Sequence, residues 1–152
     1  MLDFVESTLN MEKATIPEEM YTIAVDCIVS LDEFDRQLAM DPRISSSRQN
    51  GTGRIERRGS VLVFLPGMEE INRLFRSLTA KNQIDLEEAI EKDKNYKDHD
   101  FHQWDIVPLH STITSEEQQR VFDKPRAHHR KIILSTNIAE SSVTVPDVMY
   151  GM

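Results

Sequence analysis

The stretch Lys131-Ile-Ile-Leu-Ser-Thr-Asn-Ile-Ala-Glu-Ser-Ser-Val-Thr-Val145 decides the fold. Its apolar run, Ile132 to Leu134, is followed at once by hydroxyls, one amide and one acid. This pattern predicts a buried strand that delivers a polar loop at its carboxyl end, the edge where open parallel α/β sheets bind ligands. The hydroxyls and Asn137 suit phosphate or sugar oxygens, because such groups are ordinary ligands of a nucleic-acid backbone. In isolation, a Ser/Thr-rich loop is more typical of capping and turns.

The rest of the chain alternates predicted strands and helices. The strands are Val61 to Leu65, Ile106 to Leu109, Lys131 to Ser135, and a fourth that starts at Val148 and that the chain does not finish. One helix follows Pro66-Gly67 with an apolar face of Met68, Ile71, Leu74, Phe75 and Leu78. A separate solvated helix is expected around Leu86 to Lys94, and a third reaches Phe122 from a cap at Thr114 or Ser115. The βαβαβ order predicts an α/β fold, a parallel sheet with helices on both faces, incomplete at the C-terminus.

An N-terminal helix is predicted from about Pro17 to Leu38, with Thr15 and Glu18 as a capping box. An apolar stripe at helical spacing is expected to face the core: Met20, Ile23, Cys27, Leu31, Phe34 and Leu38. Residues 1–43 are therefore interpreted as a helical segment that packs on the domain. Residues 44–60 are interpreted as a flexible Arg/Ser/Gly-rich loop, and residues 59–152 as the α/β domain.

The composition fits a globular domain and excludes several function classes. The chain has 152 residues, 39% of them hydrophobic and 29% charged, and its apolar runs are too short to span a bilayer. Its single cysteine excludes an internal disulfide, and its N-terminus lacks the basic and apolar pattern of a signal peptide. A net charge of −8 argues against avid nucleic-acid binding by the chain alone. No metal site is predicted, because the histidines His110, His128 and His129 have no partner at ligand spacing.

Three strings in series resemble the DEAH-box RNA helicases. Ser135-Thr-Asn-Ile-Ala-Glu-Ser-Ser-Val-Thr-Val145 is similar to their motif V, and Gly59-Ser-Val-Leu-Val-Phe-Leu-Pro-Gly-Met-Glu-Glu-Ile71 to their motif IV. Pro108-Leu-His-Ser-Thr-Ile-Thr and Gln118-Gln-Arg-Val-Phe122 resemble the segment between those motifs. The resemblance covers roughly residues 59 to 149 and implies the second RecA-like domain. The residues of these motifs are most similar to those of the tudor-domain-containing helicases of the germline piRNA pathway.

The resemblance also implies roles for individual residues. Phe122 would stack on the ATP base opposite an arginine of the first RecA-like domain, and Ser142 would sense the nucleotide state. Pro146 stands where most relatives have an acid or Asn near the nucleotide, and Asp147 is a candidate substitute. Contacts to the RNA backbone are implied for Gly67, Ser111, Thr112, Thr136, Asn137 and Ser141.

The sequence lacks the other half of a helicase site. It has no phosphate-binding loop and no DEAH tetrapeptide, and it stops before the arginine-bearing motif VI. We therefore expect no catalytic residue in this chain and no activity or ATP binding by it alone. The full-length protein is expected to be an RNA helicase that uses ATP with Mg²⁺.

Its expected partners are RNA, the first RecA-like domain of the same protein and proteins that bind the Arg-rich loop. Its expected location is the cytoplasm, in perinuclear ribonucleoprotein granules, with no membrane contact. Two other interpretations stay open: a non-catalytic protein-interaction module, and a degenerate helicase kept as a scaffold because of Pro146.

Overall fold

The computed structural model describes residues 16–40, 59–93, 103–110, 112, 114–126, 128–137 and 148–152. Its elements in chain order are α1 (Glu18–Met40), β1 (Ser60–Leu65), α2 (Met68–Lys92), β2 (Gln103–Leu109), α3 (Ser115–Phe122), β3 (His129–Thr136) and β4 (Val148–Gly151). The strands form one parallel sheet in the order β2-β3-β1-β4. The predicted α/β class is confirmed.

Strands β1 and β3 lie at the centre of the sheet because they are apolar on both faces. Val61 to Leu65 pair with Ile132 to Thr136, and the whole of β2 pairs with residues 129–135 of β3. β4 pairs with the other side of β1 after a register shift between Ser60 and Val61. All four predicted strands are present, although β2 begins three residues earlier than expected, at Gln103 rather than Ile106.

The sheet has a core on each face, as the βαβαβ order predicts. Ile132 and Leu134 of β3 point to one face and pack with buried residues of α1 and α2. Ile133, between them, points to the other face and packs with Val121 of α3. Because successive strand side chains alternate in direction, one apolar run fills both cores.

Helix α2 is a single helix of 25 residues, so the expected separate acidic helix is wrong. No proline or glycine interrupts the sequence after Leu78, and side-chain pairs four residues apart support the helix, including Gln83–Glu87 at 2.8 Å and Lys92–Glu88 at 3.3 Å. Of the predicted apolar face, three residues are buried and Phe75 is half-buried, whereas Met68 is exposed.

Helix α1 forms as predicted, but the prediction of its buried face is wrong. Ile23 and Phe34 are each 52% exposed, Met20, Cys27 and Leu38 are also exposed, and Leu31 is half-buried. The helix instead buries Tyr21, Val25, Ile28 and Asp32. A pattern that counts only apolar residues misses this face, because it continues into two acids, Asp32 and Asp35.

Those acids are paired with Arg130, a fully buried arginine of β3. Its Nε donates to Asp32, one terminal nitrogen donates to Asp35, and the other donates to the Gly59 carbonyl at 3.0 Å. The Trp104 indole also donates to Asp32, so the buried guanidinium and its carboxylates are hydrogen-bonded within the protein. The guanidinium network thus joins α1 to the sheet.

Tyr150 of β4 completes the network. Its hydroxyl donates to Asp35 at 3.0 Å, and its ring centre lies 5.7 Å from the Arg130 guanidinium carbon. Burial, and then the hydrogen bond to Asp35, raise the pKa of the Tyr150 phenol.

Some predictions fall on residues that the structure does not describe. These are the Thr15 cap, residues 44–58 of the Arg-rich loop, and residue 94 at the end of the expected acidic helix. The division of the chain into a helical segment, a loop and a domain stays a prediction. Among the helices of the described ranges, none is both long and apolar enough to cross a membrane.

Candidate functional site

Four of the residues proposed to contact RNA lie at the same edge of the sheet. β1 ends at Leu65, just before Gly67, and Leu65 pairs with Thr136 at the end of β3. β2 ends at Leu109, beside Ser135 of β3, and Thr112 follows it. Because the strands are parallel, their carboxyl ends meet, and this brings together Gly67, Thr112, Thr136 and Asn137.

Gly67 precedes the first turn of α2 in extended backbone, with φ −163° and ψ −178°. No side chain caps this helix start, and the Gly67 carbonyl accepts from the Ile71 N–H at 3.1 Å. The first N–H groups of a helix lack intrahelical partners and can bind an anion. Glu69 and Glu70 in the first turn oppose a phosphate there, so any contact depends on main-chain donors and not on net charge.

Thr112 contacts its own loop and the start of α2. Its hydroxyl lies 2.7 Å from His110 Nδ1 and 3.8 Å from Met68 Sδ, and its N–H donates to the same histidine nitrogen at 3.3 Å. His110 was considered from the sequence only as a metal ligand. The sequence does contain a signal for this contact, because Thr112 follows His110 by two residues. Side chains in short loops often bond the main chain of such a near neighbour.

At the start of the motif V loop, one polar side chain is hydrogen-bonded to the main chain and another is exposed. Ser135 is buried, and its hydroxyl donates to the Thr136 carbonyl at 3.0 Å, which is the local turn bonding expected of such loops. Thr136 is half-buried and Asn137 is exposed. Asn137 therefore presents an amide, a donor and an acceptor together, to a ligand at this edge.

Phe122 lies at the opposite edge of the sheet. α3 begins at the carboxyl edge, with a Thr114 cap, and runs back to end at Phe122. That end lies beside the start of β3, since Lys131 Nζ donates to the Val121 carbonyl at 3.0 Å. Lys131 is five residues before Thr136, so the two places are roughly 16 Å apart along the strand. Phe122 is 39% exposed as a residue, as stacking on a ligand requires.

The predicted capping box of α3 is present. The Thr114 hydroxyl accepts from the Glu117 N–H at 3.2 Å, and the Thr114 N–H donates to Glu117 Oε2 at 2.9 Å. The main-chain and then the hydroxyl hydrogen bond from Thr114 lower the pKa of the Glu117 carboxyl. The box fixes where α3 starts, and the helix runs from there to Phe122.

The remaining site predictions, Ser111, Ser141, Ser142 and Asp147, fall on residues outside the described ranges, as does Pro146. Within those ranges, no three His, Cys, Asp or Glu side chains form a group that could hold a metal ion.

Comparisons with known proteins agree with the three motif strings. A family model described as the helicase conserved C-terminal domain matches residues 49–152. The chain is 47% identical over 135 residues to the ATP-dependent RNA helicase TDRD9 of Danio rerio, a match that covers 89% of this chain and 8% of that protein. It is 37% identical over 146 residues to the probable ATP-dependent RNA helicase spindle-E of Anopheles gambiae, covering 96% of this chain and 9% of the relative.

Among solved structures, the chain is similar to the E. coli DExH-box NTPase HrpB, with 25% identity and a TM-score of 0.44. That match covers 63% of this chain and 10% of the other. The chain thus spans only 8–10% of the length of these three proteins. The helicase resemblance of the sequence is confirmed by the family model and the curated relatives.

Proposed function

Since the chain belongs to the helicase conserved C-terminal domain family, we propose that it is the second RecA-like lobe of a DEAH-box, ATP-dependent RNA helicase. In this proposal the lobe supplies RNA-backbone contacts and half of an ATP site. The observation that supports RNA binding is the position of four residues at the carboxyl edge of the sheet: Gly67, Thr112, Thr136 and Asn137. These residues lie at or just after the ends of three different strands, and all offer uncharged donors and acceptors.

RNA would be held at this edge through hydroxyls, an amide and main-chain N–H groups. Such contacts go to phosphate and sugar oxygens and carry no sequence information. The chain has a net charge of −8, and Glu69 and Glu70 stand in the first turn of α2. Attraction by clustered lysines and arginines therefore contributes little, and this lobe would grip RNA weakly on its own.

ATP would be held at a second place, at the end of α3. The exposed Phe122 ring fits a role in stacking, since stacking uses the π face of a base and leaves its edges unread. Ser142 and Asp147 are proposed to contact the nucleotide from the motif V loop, and an arginine of the first RecA-like domain to cover the base. Bound ATP and Mg²⁺ would supply phosphoryl transfer to water, which depends on positioning and electrostatics. No magnesium ligand is assigned to this chain, because its sequence has no DEAH tetrapeptide.

The assignment to one group of DEAH-box helicases rests on the residues of two motifs. Pro66-Gly67 after motif IV and Ser141-Ser-Val-Thr-Val-Pro-Asp147 are similar to the tudor-domain-containing helicases, and TDRD9 of Danio rerio is 47% identical. We place the full-length protein in the germline piRNA pathway and in cytoplasmic, perinuclear ribonucleoprotein granules. The Arg-rich loop is proposed as a docking segment for protein partners.

A second candidate function is a scaffold without ATPase activity. Pro146 favours it, because proline has neither a side-chain acceptor nor an N–H to offer a nucleotide.

The ATPase of the full-length protein tests the proposal. We expect RNA-stimulated ATP hydrolysis by the full-length protein, and neither hydrolysis nor measurable ATP affinity for the 152-residue chain, because the phosphate-binding loop is absent from its sequence. Phosphate release with and without single-stranded RNA, and calorimetric titration of the chain with ATP, provide the measurements. A full-length protein without ATPase would support the scaffold, and micromolar ATP affinity of the chain alone would contradict the half-site.

Two adjacent serines test whether RNA grip and ATP use are separate. In the full-length protein, Ser141→Ala is expected to weaken RNA affinity by about 0.5–1.5 kcal/mol, the value of one neutral hydrogen bond. Ser142→Ala is expected to leave RNA bound and ATP cleaved while the number of base pairs unwound per ATP falls. Fluorescence anisotropy with labelled RNA, ATPase and unwinding assays measure the three quantities. Equal effects of both substitutions in all three assays would show that the loop acts as one structural unit.

A further inference from the structure

Lys131 is a buried lysine of β3, next to the buried Arg130. It is 3% exposed, and it precedes the Ile132-Ile-Leu134 run of β3. Burying an ammonium group is costly unless it is hydrogen-bonded. Its Nζ donates to the main-chain carbonyl of Val121, at 3.0 Å, and to that of Asp123.

Those two carbonyls lie on either side of Phe122. α3 ends at Phe122, and the last carbonyls of a helix have no partner within the helix. A cation at this place also opposes the negative end of the helix dipole. Lys131 therefore holds the main chain before and after Phe122, and Phe122 itself is an exposed residue. The result is an available aromatic face on an anchored backbone, and such preorganisation saves the entropy of ordering the ring when a ligand binds.

We propose that Lys131 is a positioning residue for nucleotide binding: it fixes the main chain around Phe122 so that the ring is presented to the ATP base. The proposal rests on the stacking role of Phe122 proposed above. Lys131 itself contacts main-chain oxygens and acts through Phe122. A lysine that only stabilised the end of the helix would change the stability of the domain and leave its preference for a base unchanged.

The test uses the full-length protein and compares two ligands. ATP carries both a base and phosphates, whereas inorganic tripolyphosphate carries phosphates alone. Their affinities are measured as the KM of ATP and the inhibition constant of tripolyphosphate. Lys131→Met is expected to raise the ATP KM about threefold to tenfold, less than Phe122→Ala does, with the tripolyphosphate constant unchanged. Lys131→Arg, which retains charge and donors, is expected to restore most of the ATP affinity.

A double variant separates action through Phe122 from direct action. If Lys131 works by positioning the ring, adding Lys131→Met to Phe122→Ala should raise the ATP KM no further, because the two effects are not additive. Arg130→Lys is the matched control. It alters the neighbouring buried cation, which faces α1, and it should lower stability without changing the ratio of the two affinities.

Several results would overturn the proposal. If the ATP KM is normal in Lys131→Met but raised in Phe122→Ala, the positioning role of Lys131 is rejected and the stacking role of Phe122 stands. A normal KM in Phe122→Ala would reject the stacking role and Lys131 with it. If Lys131→Met does not fold, Lys131→Gln keeps one donor without the charge. An unchanged ratio of affinities in that variant would equally reject the proposal.

Discussion

Replacing Arg130 by methionine is expected to lower the free energy of unfolding of this domain by about 3–5 kcal/mol, the usual cost of removing one partner from a buried ion pair. Arg130 is fully buried, and its guanidinium satisfies two carboxylates and a carbonyl. Methionine fills much of the same space but donates no hydrogen bond. Asp32 and Asp35 would then be left beside the core without their cation, and α1 would lose its ion pairs to the sheet.

Urea unfolding followed by fluorescence measures this effect at its source. Trp104 is the single tryptophan of the sequence, and its indole donates to Asp32 within the same network. Arg36→Met is the matched control, because Arg36 pairs with Glu33 at 3.1 Å on the exposed side of α1. That variant should change stability by less than about 1 kcal/mol. A similarly small loss in Arg130→Met would show that water replaces the guanidinium, and that the network does not hold α1.

Replacing Phe122 by alanine in the full-length protein is expected to raise the KM of ATP strongly. One aromatic stacking contact with a base contributes roughly 1–3 kcal/mol, and this corresponds to about a 5- to 150-fold change in affinity. The fold should survive, because Phe122 is an exposed residue outside both apolar cores of the described residues. Steady-state ATPase at saturating RNA measures KM and kcat separately.

Val121→Ala is the matched control for Phe122, since it alters the preceding residue of the same helix. Val121 is 1% exposed and packs in the second core. Its truncation should lower the unfolding midpoint and leave the ATP KM unchanged. If Phe122→Ala behaved like Val121→Ala in both measurements, the ring would be a structural aromatic and the nucleotide would bind elsewhere.

The elements that the sequence predicts well are those whose apolar pattern is complete in itself. The unalternated runs Val61 to Leu65 and Ile132 to Leu134 place two central strands of a parallel sheet, and Thr114 with Glu117 places the start of α3. The buried face of α1 was missed for a physical reason. Asp32 can be buried there because Arg130 lies across from it, and that partner is 98 residues away in the chain.

The candidate site, too, is predicted by the sequence only in part. Parallel strands bring their carboxyl ends to one edge, so a shared edge for Gly67, Thr112 and Thr136 follows from the predicted parallel sheet. The attachment of Lys131 to the end of α3 does not follow from the sequence. Its partners are main-chain carbonyls, and because every residue has one, no residue type marks them. The contact of His110 with Thr112 is also set by loop conformation.

The two adjacent cations of β3 also select the alignment of that strand. Ile132, Ile133 and Leu134 are apolar on both faces and would fill either core if β3 slid by one residue along its neighbours. Arg130 and Lys131 would not, because a slip of one residue turns Arg130 toward α3 and Lys131 toward the acids of α1. The guanidinium would then lack its two carboxylates, and the carbonyls around Phe122 would lack their ammonium. A misaligned sheet thereby loses the bonding of one planar guanidinium to two carboxylates and a carbonyl, which a lysine ammonium turned toward the same acids cannot match in geometry.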